Sequence, residues 1–524
     1  MRRPAMPDAE ALLLEELGGV RPGLVTPYVD ALPGARAAVL TRLWRALAHE
    51  PLPWVTRRAR RGDGLVLRLA DGRRVYGPRP DPYATDAYVT GLVVEGTAYD
   101  RPDLLMTELQ VGHGDGRGDG RGEGRGGGFA AELGGSVASL ALSRAGQPDD
   151  GASPATSAGW EQRVVDGHPY HPNCRSRPGF SVAEQLAYGP EHRPVVRLGL
   201  VAAGDCLVRG AWPRWLRDDE GRVLIPVHPW QVEHVLTTGA HDLTVLPGPG
   251  ARPLMSLRTL ALPGGPGSPH GLHVKTALSA RLTSSVRDIS VYSVETSATV
   301  SAFAEDVTGR LDGLLHVTRT LGAATAGSPD LAAVLRESPE TYAGAGERVV
   351  PVAALPATGL TRSPSWLADF ARLALSVGLR LLDMGVALEA HGQNLLVVLS
   401  ATGSPVRLVY RDLADIRLSP VRLARHGLAV PALSGRLVTD DPDTLRRKLF
   451  GSLVAGALSA AAGSGPALRS ALAAAVPDLP PTADLPHLLH DPLPAKALTL
   501  MRLSPERPGD LWTGLPNPLA DDSF

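Results

Sequence analysis

The sequence predicts an α+β protein, on three observations. A hairpin signature, "GLVLRLADGRRVYG", lies in the first region. A strongly periodic helix near 363–385 is followed at once by a second hairpin, and the chain beyond 440 turns Ala/Leu-rich and mostly helical. The first hairpin turns at Asp71-Gly72, a dipeptide suited to a tight turn. In the helix, Ser363 is the N-cap, Pro364 the first helical residue, and Leu367, Phe370, Ala374, Val377 and Leu381 repeat at three-and-four spacing until Gly385 ends it. "VALEAHGQNLLVVLSATGSPVRLVYRDLADIRL" then reads as a polar loop, a strand through Leu399, a turn over Thr402 to Pro405 and a return strand through Tyr410.

The 524 residues suffice for two or three domains: an N-terminal region of about 145 residues, a second break at 262–271, and a third region starting near "TRSPSW" (361–366). Residues 112–128, "GHGDGRGDGRGEGRGGG", have no apolar group to bury and are expected to form a disordered surface loop. Their glycine spacing imitates a dinucleotide fingerprint and a calcium β-roll. No strand precedes it and no regular apolar position accompanies it, so both are set aside. "LPGGPGSPHG" at 262–271 is expected to be a mobile loop between two segments rich in polar chemistry.

A formal net charge of −1 supplies no basic field for nucleic acid or an anionic membrane, so anion binding must come from a local cluster. Two cysteines, Cys174 and Cys206, cannot make a disulfide framework, and no CxxC spacing supports zinc. The N-terminal apolar run is short and closed by Glu15 and Glu16, which reads as a first helix and not a signal peptide; a cytoplasmic location is expected. The small-residue run at 453–465 suits a close-packed soluble helix better than a membrane span.

Lysine and asparagine are nearly absent. Only Lys275, Lys448 and Lys496 stand against fifty arginines, and only Asn173, Asn394 and Asn517 occur. A genome drifting toward arginine keeps a lysine where a compact point charge is needed, as between phosphate oxygens. For Lys448, in "LRRKLF", a solvated helix face is a sufficient reading. Lys275 lies in "HVKTALSARLTSSVRDIS", with Thr283, Ser284, Ser285 and Arg287 following, and upstream "MSLRT" adds Ser256, Arg258 and Thr259. Two cations and several hydroxyls can clamp phosphates and a carboxylate, the arginine through a bidentate fork. The second hairpin places Glu389, His391 and Asn394 before one strand and Asp412 after its partner. Hard oxygen ligands of this kind suit Mg²⁺ bound with a nucleotide. In "GHPYHPNCRSRPGF" (167–180), His168, His171 and Cys174 raise a zinc reading. A histidine that donates to phosphate or moves a proton is more economical.

These blocks, in this order, resemble the IucA/IucC family of siderophore synthetases that work independently of nonribosomal peptide synthetases. The resemblance runs from about residue 160 to the end, through "EQRVVDGHPYHPNCRSRPGF", "IPVHPWQ", "SLRT", "KTALSARLTSSVRDIS", "LEAHGQNLLVV", "YRDLADIRL" and "KALTLMRL…LPNPL". It implies a cupped architecture of thumb (1–145), fingers with an antiparallel sheet (146–350) and a palm of hairpin and helices (351–524). It also implies an AMP-forming ligation that uses ATP and Mg²⁺: citrate or a related carboxylate is adenylated and passed to an amine or hydroxyl. By the family pattern, Ser256, Arg258, Thr259, Lys275 and His171 would contact ATP, while Glu389, Asn394 and Asp412 would hold the nucleotide, Glu389 and Asp412 with its Mg²⁺. Thr283, Ser284, Arg287 and His391 would bind the carboxylate, and Lys275, Arg287, His391 and His171 would carry catalysis. The implied partners are small molecules, with no nucleic acid and no membrane, and the pattern admits a homodimer. Arg175 stands where the family usually has lysine and receives no role, and the segment between Arg258 and Lys275 is lengthened. Two other classes stay open. In a small-molecule kinase, Glu389, Asn394 and Asp412 would mimic a catalytic loop, although no Asp sits at the base position and no Phe-Gly follows Asp412. A non-catalytic ligand-binding homologue would keep the charges without turnover.

Overall fold

The computed structural model describes residues 8–111, 123–148, 151–237, 243–265, 268–282, 285–433, 435–507 and 509–520. The first region pairs helices with a small sheet. Helix Ala9–Val20 is capped by Asp8, whose carboxylate accepts the Glu10 N–H at 3.1 Å. The long helix Val25–His49 buries Leu40, Leu43, Trp44 and Leu47 completely against helices Pro102–Val111 and Glu123–Ala145. A five-stranded antiparallel sheet follows in chain order: β1 (Val55–Arg61), β2 (Gly64–Leu69), β3 (Arg74–Pro78), β4 (Leu92–Val94) and β5 (Thr97–Tyr99). The β2–β3 turn falls at Asp71-Gly72 as expected, with Asp71 accepting the Arg73 N–H and Gly72 at φ 93°. Of the glycine-rich tract, 112–122 lies outside the described residues. Residues 123–128 are the opening turns of helix Glu123–Ala145 and not loop, because the apolar positions from Phe129 onward recruit them into one helix.

The middle of the chain builds β6 (Val196–Ala203), β7 (Leu207–Gly210), β8 (Val223–Val227), β9 (Val245–Pro253), β10 (Thr259–Leu262), β11 (Leu272–Thr276), β12 (Leu278–Leu282), β13 (Ser285–Arg287), β14 (Leu315–Val317), β15 (Thr320–Ser328) and β16 (Leu331–Glu337). Eight of these form one sheet in the order β7-β15-β16-β11-β10-β9-β6-β8. Its pairs are antiparallel, and Ile225, Leu260, Val274, Ala333 and Leu335 fill its core. The Gly/Pro segment 262–271 joins β10 to β11 as a hairpin connection.

In the last region β17 (Arg348–Pro351), β19 (Leu395–Leu399) and β20 (Pro405–Tyr410) join β14, with β18 (Val386–Ala387) between β17 and β19 in sequence. Against them lies helix Pro364–Met384. Ser363 accepts the Trp366 N–H, and Gly385 ends the helix in the left-handed region at φ 91°, where a side chain would be strained. Phe370, Leu375 and Leu382 pack with Leu449, Leu453 and Leu472 in the largest core. Among the described residues no single helix is long and apolar enough to cross a membrane. A hairpin not legible in the sequence, β22 (Leu493–Lys496) with β23 (Trp512–Leu515), follows the short β21 (Arg417–Leu418) and carries Lys496.

Candidate active site

The hairpin register decides where the key lysine sits. β10 and β11 pair Thr259 with Lys275, and β11 is flanked on its other edge by β16. Lys275 thus stands mid-sheet and buried, and its Nζ donates to both Asp412 oxygens at 3.0 and 2.7 Å. Asp412 follows β20 with φ 71°, a left-handed backbone that turns its carboxylate back toward the sheet. Arg336 on β16 donates to the same carboxylate at 3.1 Å. Burial would raise the Asp412 pKa, but Lys275, Arg336 and Arg258 together hold it well below the usual carboxylate range. Lys275 itself is pushed down to about 7, first by burial and then by the charges of Arg258 and Arg336, with Asp412 opposing. The two shifts differ in origin: the cations around Asp412 outweigh its burial, whereas for Lys275 burial and the neighbouring guanidinium charges outweigh Asp412.

The "MSLRT" segment bends sharply ahead of β10. Ser256 Oγ accepts the Thr259 N–H at 3.2 Å, and Leu257 adopts φ 60°, costly for a branched side chain. Arg258 is swung beneath the strand end, where its Nη1 donates to the carbonyls of Arg287 and Asp288, and its own carbonyl accepts Thr276 N–H. Burial lowers the Arg258 guanidinium to about 10. Arg287, also lowered by burial, feels both Asp412 and Glu389. Thr283 and Ser284 lie outside the described residues.

The 389–394 loop closes the other side. His391 Nδ1 accepts the Gln393 N–H at 3.2 Å, so the neutral ring carries its proton on Nε2. Asn394 is buried and its amide approaches the Glu389 carbonyl at 3.4 Å. Glu389 Oε1 lies 2.6 Å from Lys496 Nζ and 3.2 Å from Lys448 Nζ. Lys448 corrects the sequence reading of a solvated helix face. It is 2% exposed and pairs with Asp415, Glu389 and Asp510, because its helix, Pro442–Ser452, turns that side chain inward under the loop. The carboxylates of Glu389, Asp415 and Asp510 lie within 4.8 Å of one another and are balanced by two ammonium groups.

His171 is buried, accepts the Asn173 N–H on Nδ1 at 2.9 Å, and is lowered to about 3 by burial and by Arg287 nearby. It is therefore a neutral ring whose Nε2–H has no hydrogen-bond partner among the described residues. Cys174 Sγ rests 3.7 Å from Ser136 Oγ and joins no convergent set of metal ligands among the described residues, so the zinc reading of His168, His171 and Cys174 finds no site. Arg175 points away, to the Val164 and Val165 carbonyls and the buried Glu191. Arg336, Asp415, Asp510, Arg411 and Glu161 were not singled out in the sequence, although Glu161 opens "EQRVVDGHPYHPNCRSRPGF" and Arg411 and Asp415 lie within "YRDLADIRL". An arginine carries no signal in a chain with fifty, and no local pattern ties the acids to the loop.

The described groups form one electrostatic neighbourhood. His171 feels Arg287, Arg287 feels Asp412 and Glu389, and Arg258 and Lys275 meet at Asp412. Four cations around one carboxylate fit a polyanion accompanied by Mg²⁺, for which Asp412 and Glu389 offer hard oxygen ligands.

Comparison with known proteins bears on what that polyanion is. Residues 156–357 match the model of the IucA / IucC family, and residues 364–510 match one described as ferric iron reductase FhuF-like transporter. A Bacillus anthracis citryl-spermidine/3,4-dihydroxybenzoyl-citryl-spermidine:spermidine ligase is 27% identical over 312 residues, 48% of this chain and 50% of that protein. Staphyloferrin A synthase of Staphylococcus aureus is 22% identical over 346 residues, 55% of this chain and 57% of that protein. The matches thus span about half the length of these curated relatives. Among solved structures, petrobactin biosynthesis protein AsbB from Bacillus anthracis superposes with a TM-score of 0.76 at 18% identity, covering 98% of both chains. ATP-bound aerobactin synthetase IucA from Klebsiella pneumoniae gives 0.70 at 18%, covering 93% of this chain and 99% of that one. At these identities the likeness is one of fold: a mixed architecture of helices and antiparallel sheets.

Proposed function

We propose, from the match of residues 156–357 to the IucA / IucC family model, that the chain is an AMP-forming ligase of that family of siderophore synthetases. In this reading it adenylates citrate or a related polycarboxylate and condenses it with an amine or hydroxyl nucleophile in a siderophore or kindred pathway. Lys275, Arg258, Arg336 and Arg287 gathered around the single carboxylate of Asp412 is the observation that carries this reading.

Lys275 exchanges its contact with Asp412 for an ATP phosphate oxygen, and Arg258, Ser256 and Thr259 fix the strand end against the triphosphate. His171 donates its Nε2–H to a phosphate oxygen; neutral and preorganised, it needs no proton to act. Asp412 and Glu389 would hold the nucleotide's Mg²⁺, which would supply charge neutralisation to the leaving pyrophosphate, and Asn394 fixes the loop that carries Glu389. Arg287 and the Nε2–H of His391, with Thr283 and Ser284, orient the carboxylate. One carboxylate oxygen attacks the α-phosphorus, the bond to the bridging oxygen breaks, and pyrophosphate leaves. The nucleophile then displaces AMP from the acyl carbon, giving an amide or ester. Burial of the cation cluster strengthens each contact and keeps water from the mixed anhydride.

In this account residues 1–145, 146–350 and 351–524 act as thumb, fingers and palm, and the enzyme draws on cytoplasmic ATP. Pyrophosphate–ATP exchange tests it. Labelled pyrophosphate should enter ATP only when a carboxylate substrate is present. Absence of exchange with every polycarboxylate, despite ATP binding, would instead favour a non-catalytic homologue.

A further inference from the structure

Two buried charges outside the set above tie the site together. Arg411, between β20 and Asp412, is 6% exposed, and Glu161, closing the short helix Ser157–Glu161, is fully buried. Glu161 Oε1 and Arg411 Nη1 lie 2.6 Å apart, an ion contact without the alignment of a directed hydrogen bond. The other edge of the guanidinium donates twice to the Gln393 carbonyl, at 3.1 and 2.8 Å, while the Arg411 backbone N–H donates to the Asn394 carbonyl at 3.0 Å. The second Glu161 oxygen accepts the Met255 N–H at 2.9 Å, one residue before Ser256, and Gln162 reaches the Pro253 carbonyl at 3.3 Å. One ion pair therefore joins the 253–259 bend to both ends of the β19–β20 hairpin, the 389–394 loop and the Asp412 backbone, which lie more than 120 residues further along the sequence.

A buried ion pair is a poor stabiliser, since desolvation offsets its attraction; its value is in fixing one geometry. Here the segments it fixes are strained. Leu257 and Asp412 both sit in the left-handed region, and such backbones persist only where their surroundings over-determine them. We propose that Glu161 and Arg411 are positioning residues that hold the phosphate-facing bend and the His391–Asn394 loop in register, so that Ser256, Arg258 and Asp412 meet the same nucleotide. This rests on the ATP reading for its effect on activity, but not for its effect on the loops.

Arg411→Lys is the informative variant. It keeps the charge, yet one ammonium cannot serve both Gln393 O and Glu161 with the fork of a guanidinium. Amide hydrogen exchange without nucleotide should speed up together in 254–259 and 391–394, with exchange in helix Pro364–Met384 and the melting profile unchanged. The kcat/KM for ATP should fall about 10–100-fold, the scale of a 1 Å misplacement. Glu161→Gln places an amide donor against the guanidinium and should give the same paired response. The double variant should lose no more than the worse single, because both act through one contact. Exchange unchanged in both loops, or raised in one alone, overturns the brace in either variant, and paired loosening with an unchanged kcat/KM for ATP overturns its part in activity. A wild-type protein that binds no ATP would sink the functional reading, while the exchange result would still decide the brace.

Discussion

Raising the pH of an ATP-binding measurement should expose Lys275 as the titrating group of the cradle. In the protein alone its ammonium is pushed down to about 7, so at pH 8 roughly nine in ten of these side chains are neutral. A triphosphate stabilises the charged form, and the missing proton must come from solvent. Net uptake is therefore about 0.9 proton per ATP at pH 8, about 0.5 at pH 7 and close to zero at pH 6, and affinity above pH 7 declines toward tenfold per unit. The histidines do not blur this window, since burial holds His171 at about 3 and lowers His391 as well. Calorimetry with Mg-ATP in two buffers of different ionisation enthalpy reads the uptake directly. Lys275→Arg, whose guanidinium stays charged, should abolish it. No uptake at pH 8, or equal uptake in Lys275→Arg, would refute the assignment of Lys275 as a depressed lysine facing the phosphates. The same shift fixes a stability trend. Between about 7 and the ordinary 10.5 the unfolded chain binds more protons than the folded one, so Lys275 makes the protein without nucleotide more stable as pH rises through that window.

Other expectations can be checked by standard means. Lys275→Ala should abolish adenylation while circular dichroism and melting stay near wild type; normal turnover would remove it from the phosphate site. Asp412→Asn, which takes one negative charge out of the cradle, should tighten magnesium-free ATP binding by about tenfold, or ~1.4 kcal/mol, while magnesium-dependent turnover collapses. Weaker metal-free binding would contradict that. Lys448→Met leaves Glu389 and Asp510 to Lys496 and Asp415 to Arg417 and Arg436, and urea unfolding should show a loss no larger than the lower end of ~3–5 kcal/mol, since these acids are part-exposed and keep other cations. A silent Lys448→Met would restore the solvated-face reading.

The elements legible in the sequence were those with local causes. A Ser-Pro start with a Gly stop bounded helix Pro364–Met384, and Asp-Gly turned the first hairpin, because capping and left-handed turns are decided by a few adjacent residues. The β22–β23 hairpin was not legible, since its strands are four residues each and separated by a helix and a loop. Residue rarity pointed to Lys275, and its scope proves wider than the one lysine it was applied to. All three lysines sit in ion pairs, Lys275 with Asp412, Lys448 with Asp415 and Lys496 with Glu389. All three asparagines are buried, and Asn173 and Asn517 hydrogen-bond through their amides to Glu132 and to two backbone carbonyls. Lys448 was misread because two neighbouring arginines made its helix look like a charged face. Arg336 and Arg411 stayed hidden for the opposite reason: where arginine is the default cation, only tertiary pairing with Asp412 and Glu161 distinguishes them.

Adenylating ligation is decided by one product assay. Purified protein is given ATP, Mg²⁺ and a panel of carboxylates headed by citrate, hydroxylamine is added to trap activated acyl groups, and AMP is resolved from ADP. Carboxylate-dependent AMP, pyrophosphate and a hydroxamate are predicted, and the responding acid names the substrate. ADP with a phosphorylated product would contradict the account and put a kinase in its place.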